Sequence, residues 1–505
     1  MRLDWQIAPP AQWKADAILF FVPEKSERPS TGLEKWVQES GAWLAGSLAL
    51  QHLPGKAQQV EVFYGPADQP IPRVICCGLG PMEDFHVEKL RTAAAVGFRR
   101  CRELRLKDVA IPLSAFSDLP RSVSVSLQEA LIGGITGLHR YDVLKTRDLE
   151  PSSMPEVIHL LTTEEPEAPV KEAPFLAEAV SSGILLARDL TIAPANEITP
   201  TFLARTARRL ADSYGFSLEI FDLEKTKQMG MGAFAAVAQG SKEPAAFIVL
   251  EHKPPGTESS KPLVVVGKGI TFDTGGISLK PGDKLDSMKQ DMAGAAAVLG
   301  LFEVLGKTRW EKRVVGILPC TENMPDGQAY KPGDVVRTLA GLTVEVISTD
   351  AEGRMVLCDA LAYAGRYSPA FLLDIATLTG ACIVALGKEV AGIMGNRETL
   401  VQRIQQMGID LGERLWPLPL WDFYFEGLKS DVADFKNLSD RTAGAIIGGV
   451  FLKQFVPEEI PWVHLDIAGP AWSEKETGAT PKGATGFGVR LLFELLRQWE
   501  ELGLE

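Results

Sequence analysis

Two short stretches of this chain crowd charged side chains among glycines. The first reads Gly267-Lys268-Gly269-Ile270-Thr271-Phe272-Asp273-Thr274-Gly275-Gly276-Ile277-Ser278-Leu279-Lys280, and Asp291 follows soon after. It comes directly after the apolar run Pro262–Gly267, which reads as a strand buried on both faces. Glycines there let the backbone turn tightly and approach a ligand. The second stretch reads Ser348-Thr349-Asp350-Ala351-Glu352-Gly353-Arg354 and follows an expected strand Leu342–Ile347. In extended chain, residues i and i+2 face the same side, which would aim Asp350 and Glu352 at one point. Carboxylates that converge repel one another unless a cation lies between them. An oxygen-rich set selects hard or borderline ions such as Mg²⁺, Mn²⁺ or Zn²⁺. Asp273, Asp291, Asp350 and Glu352 could together hold two metals about 3.5–4 Å apart, an arrangement suited to hydrolysis.

Plainer readings compete. A glycine-rich turn after a strand is most often only a turn. Asp350 and Glu352 could simply cap and pre-charge the helix that follows them. Lys268 and Lys280, taken singly, read as solvated surface charges. Other motifs are weaker still. Gly306-Lys307-Thr308 has the ending of a phosphate loop, but Leu301 stands where the first glycine belongs. No two of the six histidines pair at ligand spacing, and His464 in its apolar strand reads as a hydrogen-bonded core residue. There is no Gly-x-Ser-x-Gly elbow.

The elements that must position these stretches alternate between strand and helix. Ala17–Val22, Val60–Tyr64, Arg73–Gly78, Val109–Pro112 and Val157–Thr162 read as strands, with helices over Val87–Leu104 and Val125–Leu138. Thr163–Pro174 has the glutamates and prolines of a linker, and a helix is expected from Phe175 to Leu190. Beyond it, strands Arg313–Leu318, Phe371–Ile375 and Trp462–Asp466 alternate with helices Met292–Leu305, Ala351–Arg366, Glu398–Leu411 and Gly488–Glu500. The expected fold class is α/β with two domains. A smaller N-terminal α/β domain spans 1–165, a linker and linker helix 166–190, and a larger catalytic domain 191–505. The latter should hold a mostly parallel or mixed sheet covered by helices.

The 505 residues are 46% apolar and carry a net charge of −13, which argues against broad binding to nucleic acid or anionic lipid. Six cysteines without Cys-x-x-Cys spacing argue against disulfides and thiolate zinc, and they suit a reducing compartment. No uncharged run approaches the ~18 residues of a membrane span, and no secretory signal is evident. A cytoplasmic location is the expectation. Asn437-Leu438-Ser439 matches a glycosylation sequon and is read as chance.

At the two charged stretches the sequence closely resembles the leucyl aminopeptidase family of dizinc cytosolic aminopeptidases. The family hallmark Asn-Thr-Asp-Ala-Glu-Gly-Arg-Leu appears here as Ser348 to Met355, with the middle six residues matching. Gly267–Pro281 is similar to the family's lysine- and glycine-rich segment, and Met288-Lys289-Gln290-Asp291-Met292 to the next. Asp374-Ile375-Ala376-Thr377-Leu378-Thr379-Gly380-Ala381 and His464-Leu465-Asp466-Ile467-Ala468-Gly469 are similar to two more. The departures are Ser348 for Asn and Met355 for Leu, neither of them a ligand position in the family pattern.

The resemblance implies a role for each matching residue. Asp273 and Glu352 would bridge two metals, Asp350 would complete one site, and Lys268 and Asp291 the other. Lys280 would stabilise the oxyanion, and Arg354 would hold a bicarbonate that serves as general base. Met288, Thr377, Leu378, Gly380, Ala468 and Ala471 would line the pocket for the first side chain or fix the substrate. The implied activity is a metal-dependent aminopeptidase acting on peptides through a hydroxide bridging two metals, with Leu- or Met-like first residues preferred. The metals would be Zn²⁺ or Mn²⁺, with Mg²⁺ and Co²⁺ as alternatives, and the assembly a homohexamer. The reading kept against it is a DNA-binding architectural protein with or without peptidase activity, a role that some bacterial relatives of the family add; the acidic charge speaks against it.

Overall fold

Apolar runs of strand length assemble into two main sheets, each in its own part of the chain. The structure is a computed structural model that describes residues 1–24, 30–46, 55–83, 85–147 and 154–503. The chain divides into two units, one of residues 1–181 with 475–482 and one of residues 182–474 with 483–505.

The first unit contains β1 (Arg2–Ile7), β2 (Ala17–Pro23), β3 (Val60–Tyr64), β4 (Arg73–Gly80), β5 (Asp108–Pro112) and β6 (Val157–Thr162). They lie in the order β1-β6-β5-β2-β4-β3, and only the β3–β4 pair is antiparallel. β2 and β4 are buried along most of their length, as continuous apolar strands should be. β1 has no such run. It is an edge strand with no fully buried residue, and the sequence reading did not place it. Helices Val87–Glu103 and Val123–Gly137 pack against each other, joined by a buried ion pair with Arg91 Nη1 2.6 Å from Glu129 Oε2. A helix over Ala168–Ile192 takes in most of the expected linker. Its interior Pro174 lacks the N–H for one helical bond, but the Ala- and Leu-rich residues after it carry the helix on.

The second unit contains β7 (Ser217–Phe221), β8 (Ala246–His252), β9 (Leu263–Gly267), β10 (Gly269–Asp273), β11 (Val314–Asn323), β12 (Val335–Arg337), β13 (Thr343–Glu345), β14 (Phe371–Ala376), β15 (Ala391–Gly395), β16 (Leu415–Pro417), β17 (Phe435–Lys436) and β18 (Trp462–Asp466). The large sheet runs β16-β15-β18-β14-β9-β11-β8-β7, with β10 continuing beside β11. Its centre, β18-β14-β9-β11, is parallel, and antiparallel pairs flank it. The sheet is therefore mixed around a parallel centre. One face, with Val264, Val266, Ile317, Leu372 and Trp462, packs under helices Glu352–Ala364 and Gly444–Lys453. Helix Ala293–Thr308 also packs on β9, β11 and β14, and Phe302 lies where a Cβ on Gly316 would fall.

Candidate active site

The four parallel central strands end on the same side of the sheet, and their ends carry the polar residues. Lys268 joins β9 to β10. β14 accompanies the strand only as far as Gly267, after which the Lys268 side chain is fully enclosed at 2% exposure. Its Nζ lies 2.8 Å from Asp291 Oδ1 and 2.9 Å from Glu352 Oε1, and donates to the Thr377 carbonyl at 2.9 Å. A Cβ on Gly353 would sit 2.6 Å from Lys268 Cε, so only glycine lets the Glu352 helix start this close. Along β10 the register with β11 shifts between Ile270 and Asp273, a bulge that re-aims the strand end. Asp273 Oδ1 accepts from the Gly275 N–H at 2.9 Å and from Asn323 Nδ2 at 2.8 Å. Gly275 and Gly276 then take φ of +88° and +67°, which turns the chain back and returns Lys280 to the cluster. Lys280 Nζ lies 2.8 Å from Asp273 Oδ2 and pairs with Asp350 Oδ1 as well.

The second stretch arrives by a different route from the one expected. The strand is only Thr343–Glu345, in a small sheet of order β12-β13-β17. The N–H groups of Ile347 and Ser348 are taken by Asn437 Oδ1 at 2.8 and 3.3 Å, so no ladder continues there. Thr349–Ala351 form a 3₁₀ turn, and Glu352 opens the helix Glu352–Ala364. The turn, and not an extended i, i+2 pair, brings Asp350 and Glu352 together. Ser348 caps it, its hydroxyl accepting from the Asp350 N–H at 3.2 Å.

Asp273, Asp350 and Glu352 each offer a carboxylate oxygen within 4.8 Å of the others, which suits them to a metal ion. Asp291 Oδ2 and Glu352 Oε2 are buried without a hydrogen-bond partner. Burial raises Asp291 well above the carboxylate range against the pull of Lys268, and burial together with Asp273 raises Glu352. Burial alone would lower Lys268 and Lys280. The carboxylates Asp291, Glu352 and Asp273 around the first, and Asp273, Glu352 and Asp350 around the second, reverse that and raise both. The site thus gathers more carboxylates than ammoniums and leaves inward-facing oxygens unsatisfied, which is the electrostatic condition for a divalent cation.

Arg354, two residues beyond Glu352, is 4% exposed; its Nη1 donates to the Asn437 carbonyl at 2.8 Å, and its Nε is buried without a partner. Burial lowers its pKa to about 10 despite Glu352 and Asp466. Thr377 follows β14 and donates its hydroxyl to Asp291 Oδ1 at 2.8 Å. Met288 sits half-buried on the 3₁₀ helix Leu285–Gln290 that delivers Asp291. Leu378 and Ala468 are half-buried, Gly380 exposed and Ala471 buried, in the loops that leave β14 and β18.

The profile of the cytosol aminopeptidase family matches this chain twice, the catalytic domain over residues 185–493 and the N-terminal domain over residues 18–148. The chain belongs to the cytosol aminopeptidase family. A probable cytosol aminopeptidase of Syntrophobacter fumaroxidans is 58% identical over 504 residues, covering 100% of both chains. One of Nitratidesulfovibrio vulgaris is 47% identical, covering 99% of each. Among solved structures, a tomato leucine aminopeptidase variant superposes with a TM-score of 0.86 at 32% identity, over 98% of this chain and 96% of that one. A bottromycin maturation enzyme in complex with Mn gives 0.84 at 32% identity, over 96% and 99%. The protein is accordingly an aminopeptidase, a hydrolase of the metallo-exopeptidase class acting on peptides. Among the described residues, no helix is long and apolar enough to cross a membrane.

Three residues at the cluster escaped the sequence reading. Asn323 bonds Asp273 and also donates to the Thr349 carbonyl at 3.0 Å. Tyr330, buried, donates to the same carbonyl at 2.9 Å. Asn437, the asparagine of the sequon, is fully buried and also donates to the Ser348 carbonyl at 2.7 Å. His464 is fully buried, with Nδ1 2.5 Å from Asp374 Oδ1.

Proposed function

We propose that this protein is a metal-dependent aminopeptidase that removes Leu- or Met-like residues from the free N-termini of peptides, using two divalent ions held by Lys268, Asp273, Asp291, Asp350 and Glu352. The observation that carries this reading is the carboxylate cluster, buried except at Asp350, with its unpartnered Asp291 Oδ2 and Glu352 Oε2. Such a donor set, oxygen-rich with one amine, fits Zn²⁺ or Mn²⁺, and a related enzyme was solved with Mn. Bound ions of this kind supply a Lewis acid for the scissile carbonyl and a water acidic enough to react near neutral pH. Lys268 would ligate as the neutral amine, so metal uptake releases its proton. Lys280, 23% exposed and pressed toward the ammonium form by three carboxylates, donates to the oxyanion as the carbonyl becomes tetrahedral. Arg354, whose buried Nε lacks a partner, would hold bicarbonate, which supplies a general base. Met288, Thr377, Gly380, Ala468 and Ala471 would receive the first side chain, with the Leu378 backbone fixing the substrate, and the small or apolar surfaces of the pocket favour Leu and Met. We further propose a cytoplasmic homohexamer, which light scattering on the purified protein tests by its mass.

The decisive assay strips the protein, reloads it with Zn²⁺ or Mn²⁺, and offers Leu-Gly-Gly beside its N-acetylated form. The expected result is leucine release from the free peptide alone, dependent on metal. Cleavage of both peptides would mean that the free amine is not read, and no cleavage with metal bound would mean that the site is repurposed.

A further inference from the structure

The last paired residues of two neighbouring central strands are Ala376 of β14 and Asp466 of β18, opposite each other in register. Beyond them one more ladder bond forms, from the Ile467 N–H to the Ala376 carbonyl at 2.8 Å. The two chains then diverge into the segments that carry four of the five residues assigned above to the first-side-chain pocket, Thr377, Gly380, Ala468 and Ala471, together with Leu378, whose backbone would fix the substrate.

Where the ladder stops, the Asp466 carboxylate takes over. It is fully buried. Its Oδ1 accepts from the N–H groups of Leu378 at 3.1 Å, Thr379 at 3.4 Å and Ala468 at 3.2 Å. Its Oδ2 accepts from the Thr379 hydroxyl at 2.7 Å. That hydroxyl in turn accepts from the Cys382 N–H at 3.0 Å and caps the helix Gly380–Leu386. One side chain therefore satisfies the first free N–H groups of both loops. Oδ1 ties the N–H groups of both loops to one atom and Oδ2 fastens the first loop again through the Thr379 hydroxyl, which fixes how far apart the loops leave the sheet.

From this geometry we infer that Asp466 is a positioning residue that sets the width of the first-side-chain pocket and so the enzyme's choice of N-terminal residue. The inference rests on the pocket assigned under the proposed function. It requires that Asp466 act on substrate fit and not on bond cleavage, because its hydrogen bonds go to the pocket loops and none to the carboxylate cluster.

The test uses the full-length, metal-loaded enzyme with Asp466→Asn, Thr379→Val and Thr379→Ser, and dipeptide substrates beginning with Leu, Ala or Phe. A carboxamide has one acceptor oxygen: set toward the N–H groups it loses the bond from the Thr379 hydroxyl, and set toward the hydroxyl it turns a donor toward the N–H groups of both loops, so the clamp loosens either way. In Asp466→Asn, KM for the Leu substrate should rise while kcat changes little, and the Leu-over-Ala preference in kcat/KM should fall about tenfold, the scale of a lost hydrocarbon-pocket contact. Thr379→Val, which keeps shape and loses the hydroxyl, should move the preference in the same direction by less, and Thr379→Ser should restore the parent pattern. A folded Asp466→Asn enzyme that loses kcat equally for every substrate, with its preference intact, would overturn the inference. Amide hydrogen exchange separates this failure from failure of the functional reading. Residues 377–382 and 467–471 should exchange faster together in Asp466→Asn even if the parent shows no preference for leucine, and unchanged exchange in either loop would sink the clamp.

Discussion

Both units of this molecule contain parallel strands whose carboxyl ends lie side by side, yet only one of them places chemistry there. In the first unit, β2 ends at Val22-Pro23, β4 at Leu79-Gly80, β5 at Ile111-Pro112 and β6 at Leu161-Thr162. In the second, the corresponding positions are Lys268 after β9, Asp273 on β10, Asn323 on β11, Thr377 after β14 and Asp466 on β18. The architecture offers a site at both sheets, and the residues take it up at one. The buried charge of the first unit is of another kind. Arg91 and Glu129 bind two helices together, whereas the carboxylates of the second unit keep oxygens unsatisfied. A buried pair that completes its own bonding serves packing, and a buried set that does not is prepared for a ligand.

The largest expected effect breaks that comparison most directly. Glu352→Ala should lower kcat/KM on Leu-Gly-Gly on the order of a thousandfold or more, with metal content falling in parallel by elemental analysis. Its counterpart is Glu129→Leu, which takes the carboxylate from Arg91. It should cost about 3 kcal/mol of stability in urea unfolding and leave kcat/KM of the folded protein unchanged. Loss of activity in a folded Glu129→Leu enzyme would show that the first unit contributes to the site.

Lys280→Met sharpens the division of labour inside the cluster. The long apolar stem keeps the packing and removes the ammonium, so kcat should fall about a hundredfold to a thousandfold while KM stays near the parent value. A rise in KM with kcat preserved would instead make Lys280 a substrate anchor. Asn437→Ala comes next. It frees the Ile347 and Ser348 backbone that holds the Asp350 turn, and also shifts the acceptor of Arg354. About a tenfold to hundredfold loss in kcat/KM is expected, as for residues that orient ligands without touching the reacting atoms. An Asn437→Ala enzyme with parental kinetics would mean that the turn holds its shape without this anchor.

Which parts of this were legible in the sequence follows from how locally each is encoded. Lys268, Asp273, Asp350 and Glu352 stood out because charges beside continuous apolar runs need a reason, and their types and spacing are local facts. The central strands β9, β11, β14 and β18 and the helices between them were legible for the same reason, whereas β1, β7, β8, β10, β12, β15, β16 and β17 were not placed. Asn323 was not, because Pro319 reads as the end of a strand. In fact β11 runs through it to Asn323, with Pro319 opposite Phe247 on the antiparallel β8. Asn437 was hidden by a surface motif, and its role depends on a partner ninety residues earlier. The turn at Thr349–Ala351 was misread as extended chain because nothing local shows that side-chain bonds from Asn323, Tyr330 and Asn437 replace a ladder there. The return of residues 475–482 to the first unit has no local signature either.

The most gradual expected effect, small per pH unit, concerns a buried carboxylate in the catalytic unit that is bonded like those of the other kind. Asp359 lies on the same helix as Glu352, fully buried, but it accepts from the N–H groups of Phe234 at 2.9 Å and Leu339 at 2.7 Å. Burial outweighs these bonds and pushes its pKa from 3.8 up to about 7. The folded chain therefore holds this proton more tightly than the unfolded chain does. The resulting stabilisation is complete below about pH 4 and is lost as pH rises through about 7, at up to about 1 kcal/mol per pH unit. Asp359→Asn has no such proton to lose. Its stability is offset at every pH by the poorer match of an amide to two N–H donors, and that offset does not titrate. Urea unfolding of both proteins from pH 4.5 to 8 should show the parent losing ground to Asp359→Asn across this window, while other titrating groups cancel in the difference. Parallel curves would mean that two backbone donors suffice to keep Asp359 ionised. Backbone donors would then rival the lysines as a way of holding buried charge, and unsatisfied oxygens alone would separate the carboxylate cluster from the packing.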